Sequence, residues 1–221
     1  MTVLTMSPTL GDLLKYELDR NVQREAVTLL QGANYRLGSV LGRITKGAVS
    51  SAARAGGNTG NGTLTLASPA ADATAKSGVY KVRCFEAATN GGSFTVIDPD
   101  GFQIGIAVIG QAFANGVNFT IADGATDFVV GDGFDVTVAA GSGKYRLSPA
   151  TDLDGSDKAA AILIEDKDAT AADRTAVVLV RGPAVLSKVA LVYEASVDQQ
   201  AEKDAKHAQL AAAGIVPRDA A

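Results

Sequence analysis

The stretch NFTIADGATDFVVGDGFDVTV, residues 118–138, alternates apolar with polar side chains and is interrupted twice by glycine and aspartate. Phe134, Val136 and Val138 recur at every second position, which is the spacing of side chains on one face of a β-strand. The Asp-Gly pair at 123–124 and the Gly-Asp-Gly triplet at 131–133 suit tight turns, because these residues tolerate positive φ. The stretch therefore predicts short antiparallel strands joined by sharp corners.

The aspartates of this stretch raise a second possibility, a calcium site. Asp123 and Asp132 each precede a glycine and stand nine residues apart, with Asp127 between them, a spacing similar to that of calcium-binding β-rolls. Such solenoids need several stacked turns, and the chain holds too few repeats to build them. We predict turn geometry here and expect no metal or other cofactor.

Outward from this stretch, glycine clusters recur through the middle of the chain and separate further runs of alternating apolar residues. The pattern predicts a mainly β fold, with an antiparallel sandwich or barrel over residues 48–143. Residues 48–62, AVSSAARAGGNTGNG, are rich in alanine, serine and glycine, and we expect a flexible connector there.

The two ends differ from this middle. Residues 7–19 carry a leucine stripe at helical spacing, and Thr9 with Asp12 resembles a helix-starting capping box. Gly11 weakens such a helix, so an arm that orders only against a partner is an alternative. Residues 197–213 predict a C-terminal helix, because Gly214 and Pro217 follow as stop signals. That helix is mostly polar, and we expect it to dock only lightly, with another subunit as one candidate.

The composition argues against several functional classes. A net charge of −4 gives no cationic surface for nucleic acid, and no apolar run reaches the length of a membrane helix. The lone Cys84 lies at strand spacing, which indicates a buried apolar residue, and His207 in a polar helix indicates a surface histidine. No catalytic set converges, so we expect a structural or binding protein made in a reducing cytoplasm and not an enzyme; a small β-rich enzyme is the weakest alternative.

Two flanking segments, TLGDLLKYELDRNVQREAVTLLQGANYRLGSVLGRITKG at 9–47 and KYRLSPATDLDGSDKAAAILIEDKDATAADRTAVVLVRGPAVL at 144–186, look like two halves of one small β-domain. Their strand pattern, with the turn Asp154-Gly155-Ser156, the strand AAAIL and the run AVVLVRGPAVL, resembles the lambda-type head decoration proteins of tailed bacteriophages. The resemblance implies homotrimers bound to the major capsid protein at three-fold and quasi-three-fold positions. They would lie on the outer surface of the mature capsid and stabilise it against internal DNA pressure.

The resemblance also implies a division of the chain. We expect an N-terminal capsid-binding arm at 1–21, a small β-barrel-like (β-tulip) decoration domain at 22–47 plus 144–196, an inserted β-domain at 48–143, and a C-terminal helix and tail at 197–221. The arm residues expected to bind capsid are Leu10, Leu13, Leu14, Tyr16 and Leu18. One alternative is that this stripe packs on its own domain. Another is that the insertion serves as a displayed adhesion or carbohydrate-binding module.

Overall fold

The computed structural model describes residues 8–219 and confirms a mainly β chain with a short C-terminal helix. The chain forms two compact units: the first holds the described residues up to Ile44 and those from Gly143 onward, and the second is Thr45–Ser142. In chain order the elements are α1 (Leu10–Leu13), β1 (Leu14–Glu17), α2 (Arg20–Gln23), β2 (Arg24–Leu29), β3 (Ala33–Tyr35), β4 (Val40–Arg43), β5 (Lys46–Ala53), β6 (Thr63–Ala71), β7 (Gly78–Ala88), β8 (Gly91–Ile97), β9 (Gln103–Val108), β10 (Ala112–Asn115), β11 (Val117–Ala122), β12 (Gly133–Ala140), β13 (Tyr145–Leu147), β14 (Ala159–Leu163), β15 (Lys167–Ala169), β16 (Arg174–Leu179), β17 (Ala184–Ser187), a 3-10 helix (Lys188–Ala190), α3 (Gln200–Ala212) and β18 (Ile215–Arg218).

A closed barrel forms the centre of the first unit, with strands in the order β13, β2, β16, β14, β4. Its interior is filled by apolar side chains that alternate with outward-facing ones, and closure leaves these strands no free edge. Close packing at Gly42 needs the absence of a side chain, because a Cβ there would lie 1.8 Å from the carbonyl oxygen of Ser156. The buried members of this cluster are Leu29, Tyr35, Leu41, Ala161, Leu163, Ala169, Ala176 and Val178.

A second sheet of the first unit has the order β1, β17, β18, and helix α3 packs beside it. The expectation that the C-terminal helix docks only lightly is wrong, because Leu210 is completely buried in its own unit. Lys206, also buried, donates from Nζ to Ser148 Oγ at 2.9 Å and to the carbonyl oxygens of Pro149 and Asp157. These three acceptors satisfy an ammonium group that would otherwise be costly to bury.

The second unit packs a five-stranded sheet, in the order β5, β12, β7, β8, β9, against a three-stranded sheet, β10, β11, β6. Both sheets contribute to one core rich in phenylalanine, in which the rings of Phe94 and Phe128 meet edge to face with centroids 5.2 Å apart. Cys84 is buried in this core, as its strand spacing predicts, and burial raises the pKa of its thiol.

The alanine and serine residues expected to form a flexible connector are instead a strand over their first part. Strand β5 covers Lys46–Ala53 and pairs antiparallel with β12, matching Ser51 with Val136 and Ala53 with Phe134. Alanine and serine have little strand preference of their own, so the pairing with β12 decides the conformation.

Candidate functional site

The N-terminal segment is the candidate site, and the structure describes it from Pro8; residues 1–7 of the expected arm lie outside the described residues. The capping box is confirmed: the Asp12 carboxylate accepts from the Thr9 backbone N–H and from Thr9 Oγ, both at 2.8 Å. These two hydrogen bonds lower the pKa of Asp12. The expected helix over 7–19 is wrong beyond this point, because α1 ends after one turn and the chain continues as strand β1.

Three of the five expected capsid-binding side chains pack within their own unit. Leu13 is completely buried in the cluster that also contains Leu186 and Leu210, and Leu10 and Leu14 pack against that cluster while partly exposed. These three residues therefore fit the alternative that the stripe packs on its own domain. Their role in capsid binding stays a prediction, and packing here gives them a second role as an anchor.

The other two expected residues face outward. Tyr16 is 48% exposed and Leu18 is 66% exposed. The pairing of β1 with β17 shifts register between Leu14 and Tyr16. Val22, in α2, is 54% exposed and was not among the expected residues. The only sequence signal for Val22 is an isolated apolar residue inside the polar run DRNVQRE. We call Tyr16, Leu18 and Val22 the N-terminal apolar surface.

Buried hydrogen bonds hold this surface in place. The side chain of Gln23, 1% exposed, accepts from the backbone N–H groups of Leu18 and Asp19 at 2.9 and 3.0 Å. The same side chain donates to the carbonyl oxygen of Pro183 at 2.6 Å. Arg24 donates to both carboxylate oxygens of Glu17, at 2.6 and 2.5 Å. Because these bonds hold the backbone that carries the apolar side chains, that backbone has little conformational freedom left to lose on binding.

Strand β1 also offers backbone groups. It lies at the edge of its sheet and pairs with β17 on one side, and no strand of the described chain pairs with its other side. An open strand edge can accept a strand from another chain through main-chain hydrogen bonds. The segment thus combines exposed apolar side chains with an available edge.

Two of the three aspartates in the acidic corners of the second unit, Asp132 and Asp127, bind loop backbone, while the buried Oδ1 of Asp123 has no hydrogen-bond partner in the described chain. Asp132 is completely buried and accepts hydrogen bonds from the backbone N–H groups of Thr59, Gly60 and Val129 at 2.9 to 3.1 Å. Burial by itself raises the pKa of Asp132, but these donors, with Arg54 at 3.9 Å, outweigh it and lower the pKa. Asp127 accepts from the backbone N–H of Asn90 at 3.0 Å. Within residues 8–219, no group of three or more His, Cys, Asp or Glu side chains is placed to hold a metal ion.

His207 does not fit the expected surface position. Its side chain is 13% exposed, and its Nε2 lies 2.6 Å from the hydroxyl oxygen of Tyr193. Burial and the nearby charge of Lys188 lower the pKa of His207, and burial raises the pKa of Tyr193 to about 12. The contact joins α3 to the segment of chain that precedes it.

A groove of about 330 Å³ opens in the first unit, lined by residues that include Tyr35, Arg146, Pro149, Asp152 and Glu194. The guanidinium of Arg146 in this groove already has two hydrogen-bond partners, because it donates to Asp152 and, at 2.7 Å, to Ser156 Oγ. Glu194 in turn accepts from the backbone N–H of Ser196. The charged side chains of Arg146, Asp152 and Glu194 in this groove thus already have hydrogen-bond partners within the described residues.

None of the helices between residues 8 and 219 is both long and apolar enough to cross a membrane.

Comparison with known proteins identifies one family. A family model described as bacteriophage lambda head decoration protein D matches residues 3–215. No curated protein matches the sequence. Two crystal structures of Xanthomonas campestris FlgL are similar to part of the chain. The structure in space group H3 is 25% identical with a TM-score of 0.32, covering 47% of this chain and 33% of that one. The structure in space group C2 is 24% identical with a TM-score of 0.30, covering 46% and 31%. The matched region thus spans about a third of those chains, and such TM-scores do not establish a shared fold.

Proposed function

The chain belongs to the family of bacteriophage lambda head decoration protein D, and on that basis we propose that it binds as a homotrimer to the outer surface of the mature capsid. Decoration of the phage capsid is the general role of this family, which is a structural component of the virion and not an enzyme. The proposal adds the three-fold and quasi-three-fold positions, the major capsid protein as the partner, and synthesis in the host cytoplasm.

The observation that carries the proposal is the extent of the family match. Residues 3–215 include nearly all of both chain segments of the first unit, from the N-terminal segment to the start of β18. The resemblance quoted from the sequence alone rested on the two flanking segments. The match therefore supports one function for the whole chain.

The N-terminal segment supports a specific mode of attachment. Tyr16 and Leu18 would contact the major capsid protein, and the free edge of β1 would pair with a strand of that protein. Leu10, Leu13 and Leu14 would tie this contact to the core of the first unit. Apolar side chains that remain exposed in the single chain gain burial on a partner surface, at roughly 25 cal/mol per Å² of apolar area removed from water.

Such attachment stabilises a capsid without chemistry. A protein that binds only the expanded lattice shifts the equilibrium toward that lattice by mass action, which opposes rupture under internal DNA pressure. A trimer repeats each modest contact three times, and linked contacts strengthen one another through their effective concentration. The individual contact surface can therefore be small.

Capsid binding tests the proposal directly. The double substitution Tyr16→Asp with Leu18→Asp places charge on the N-terminal apolar surface, where neither side chain supports the core. We expect the variant to keep the melting temperature of the parent protein and to lose co-sedimentation with expanded capsids of the phage that encodes it. The parent protein should bind expanded capsids and not unexpanded ones.

Phe102→Asp provides the matched control, because Phe102 is similarly exposed at 69% but lies in the second unit. This variant should bind as the parent does. Full capsid occupancy by the Tyr16 and Leu18 variant would refute the proposed attachment surface. Failure of the parent protein to bind expanded capsids at all would refute the proposed function.

A further inference from the structure

Strand β5 is a long edge strand with little of the usual protection: its pairing with β12 shifts register only between Val49 and Lys46, and the strand is regular from Val49 to Ala53. It is eight residues long and pairs with β12 on one side, and no strand of the described chain occupies its other side. Edge strands in soluble proteins are normally shortened, kinked, charged or covered, because open backbone groups invite pairing with another chain. From Gly47 to Ala53 the strand contains no charged residue and no proline.

The other edges of the second unit are protected. Strand β6 carries Pro69, whose carbonyl oxygen accepts from Asn118 Nδ2 at 3.1 Å. Strand β10 has only four residues, and on β9 the carbonyl oxygen of Ile104 accepts from Asn115 Nδ2 at 2.7 Å. The single charge of β5, on Lys46, is directed toward the carbonyl oxygens of Asp72 and Ala73. Among these four edge strands of the described second unit, β5 is the longest that contains no proline.

The pairing register identifies the backbone groups that are available. The N–H of Arg54 donates to the carbonyl oxygen of Gly133, so in an antiparallel ladder alternate residues from Arg54 point toward β12. The N–H and C=O groups of Val49, Ser51 and Ala53 consequently point away from it. Ser51 and Ala53 are exposed although their partners Val136 and Phe134 are buried, so the core face is open at this edge.

We propose that β5 pairs antiparallel with β5 of a second copy of this chain, about a two-fold axis at Ser51. The two five-stranded sheets would then continue as one sheet through outward-pointing backbone groups on both copies. This contact joins copies to one another and is separate from the attachment to a capsid proposed above.

The strand is complementary to itself in this register. Val49 of one copy lies opposite Ala53 of the other, so a larger side chain meets a small one on the open core face. The regular part of the strand, Val49–Ala53, carries no charged side chain, so no basic residues face each other there. Like charges facing each other would destabilise the pair, and here there are none.

Disulfide trapping in full-length protein, without capsids, tests this register. Residues opposite each other in a hydrogen-bonded antiparallel pair have Cα atoms about 5.5 Å apart, which suits a disulfide. Under mild oxidation, Ser51→Cys should give a disulfide-linked dimer as its main product on a denaturing gel. Thr89→Cys, at a position that is also exposed in the turn between β7 and β8, should give only a trace. The native Cys84 is buried and should not interfere.

A second substitution tests the association without a covalent bond. The parent protein should show a concentration-dependent doubling of mass by sedimentation velocity, and Ser51→Lys, which adds a charge at an exposed position of the edge, should abolish that doubling. Thr89→Lys should leave that doubling unchanged. Equal cross-linking of the two cysteine variants, or equal association of the two lysine variants, would overturn the proposal. Cross-linking of Ser51→Cys to a different polypeptide on purification would assign the edge to another occupant and would also overturn it.

Discussion

At the scale of single residues, Asp132 shows what the aspartates of the acidic stretch can do: its carboxylate has a structural role. The sequence places this aspartate in a corner between strands, and the structure buries its carboxylate under three backbone N–H groups from two separate loops. A buried carboxylate with that many donors acts as a staple for loop backbone that would otherwise lack partners. The same carboxylate is thereby unavailable as a metal ligand.

Asp132→Asn should destabilise the second unit by about 2 kcal/mol, because an amide nitrogen would replace one accepting oxygen and face an N–H donor. The lowered pKa of Asp132 means that the ionised form is favoured in the folded state. Its stabilisation is therefore complete above the ordinary carboxyl pKa of about 3.9 and is lost as the pH falls through the lower folded value. Urea unfolding at neutral pH and at successively lower pH should show the difference between parent and variant shrinking with acidity.

Asp127→Asn is the control for this substitution, since Asp127 accepts from a single backbone N–H, that of Asn90. It should cost clearly less stability than Asp132→Asn. An equal loss from the two variants would mean that the loops do not depend on the buried carboxylate.

At the scale of elements, the N-terminal segment shows how a distant partner overrides a local pattern. Its leucine spacing and capping box indicate a helix, and one helical turn does form at Leu10–Leu13. The chain then becomes strand β1 because β17 supplies a partner, pairing Leu14 with Leu186 and Glu17 with Ala184. The segment is therefore a folded part of the first unit from α1 onward.

Leu13→Ala should destabilise the first unit by about 3 kcal/mol, because it removes a completely buried side chain and leaves a cavity. Leu18→Ala, in the same segment but 66% exposed, should change stability by less than about 0.5 kcal/mol. Thermal and urea unfolding of the two variants would measure the contrast. Equal, small effects would show that the segment does not fold with its unit.

At the scale of the whole molecule, the division of the chain depends on how the second unit is connected to the first along the backbone. The four-part division drawn from the sequence remains a prediction. The backbone where the chain leaves and re-enters the first unit is paired: Ile44 donates to the carbonyl oxygen of Lys144, and Gly143 donates to that of Ile44. Adjacent paired ends can be closed by a tight turn.

Replacing Thr45–Ser142 with a short Asn-Gly turn should leave a first unit that folds, because its two clusters and its barrel use only residues outside that range. We expect a β-type circular dichroism spectrum and cooperative thermal unfolding. The same shortened chain with Gly42→Val should not fold, since its Cβ would meet the Ser156 carbonyl oxygen. An unfolded shortened chain without that substitution would contradict the insertion model.

The amino-acid sequence by itself determined the features that arise from neighbouring residues. Two-residue alternation predicts the core strands, glycine with aspartate predicts the corners, and Gly214 with Pro217 predicts the end of the C-terminal helix. Each depends on backbone preferences and side-chain periods that act within a few residues. The strand pattern of the flanking segments was enough to indicate the family.

Only the tertiary structure decided which segments with weak local preference became strands and which apolar residues stayed outside. β5 became a strand because β12 lies beside it, and Leu13 is buried while Leu18 is exposed because a distant part of the chain covers one and not the other. Pairing and burial depend on residues far along the sequence. Local composition does not indicate whether a partner strand or a covering side chain will lie beside a given segment.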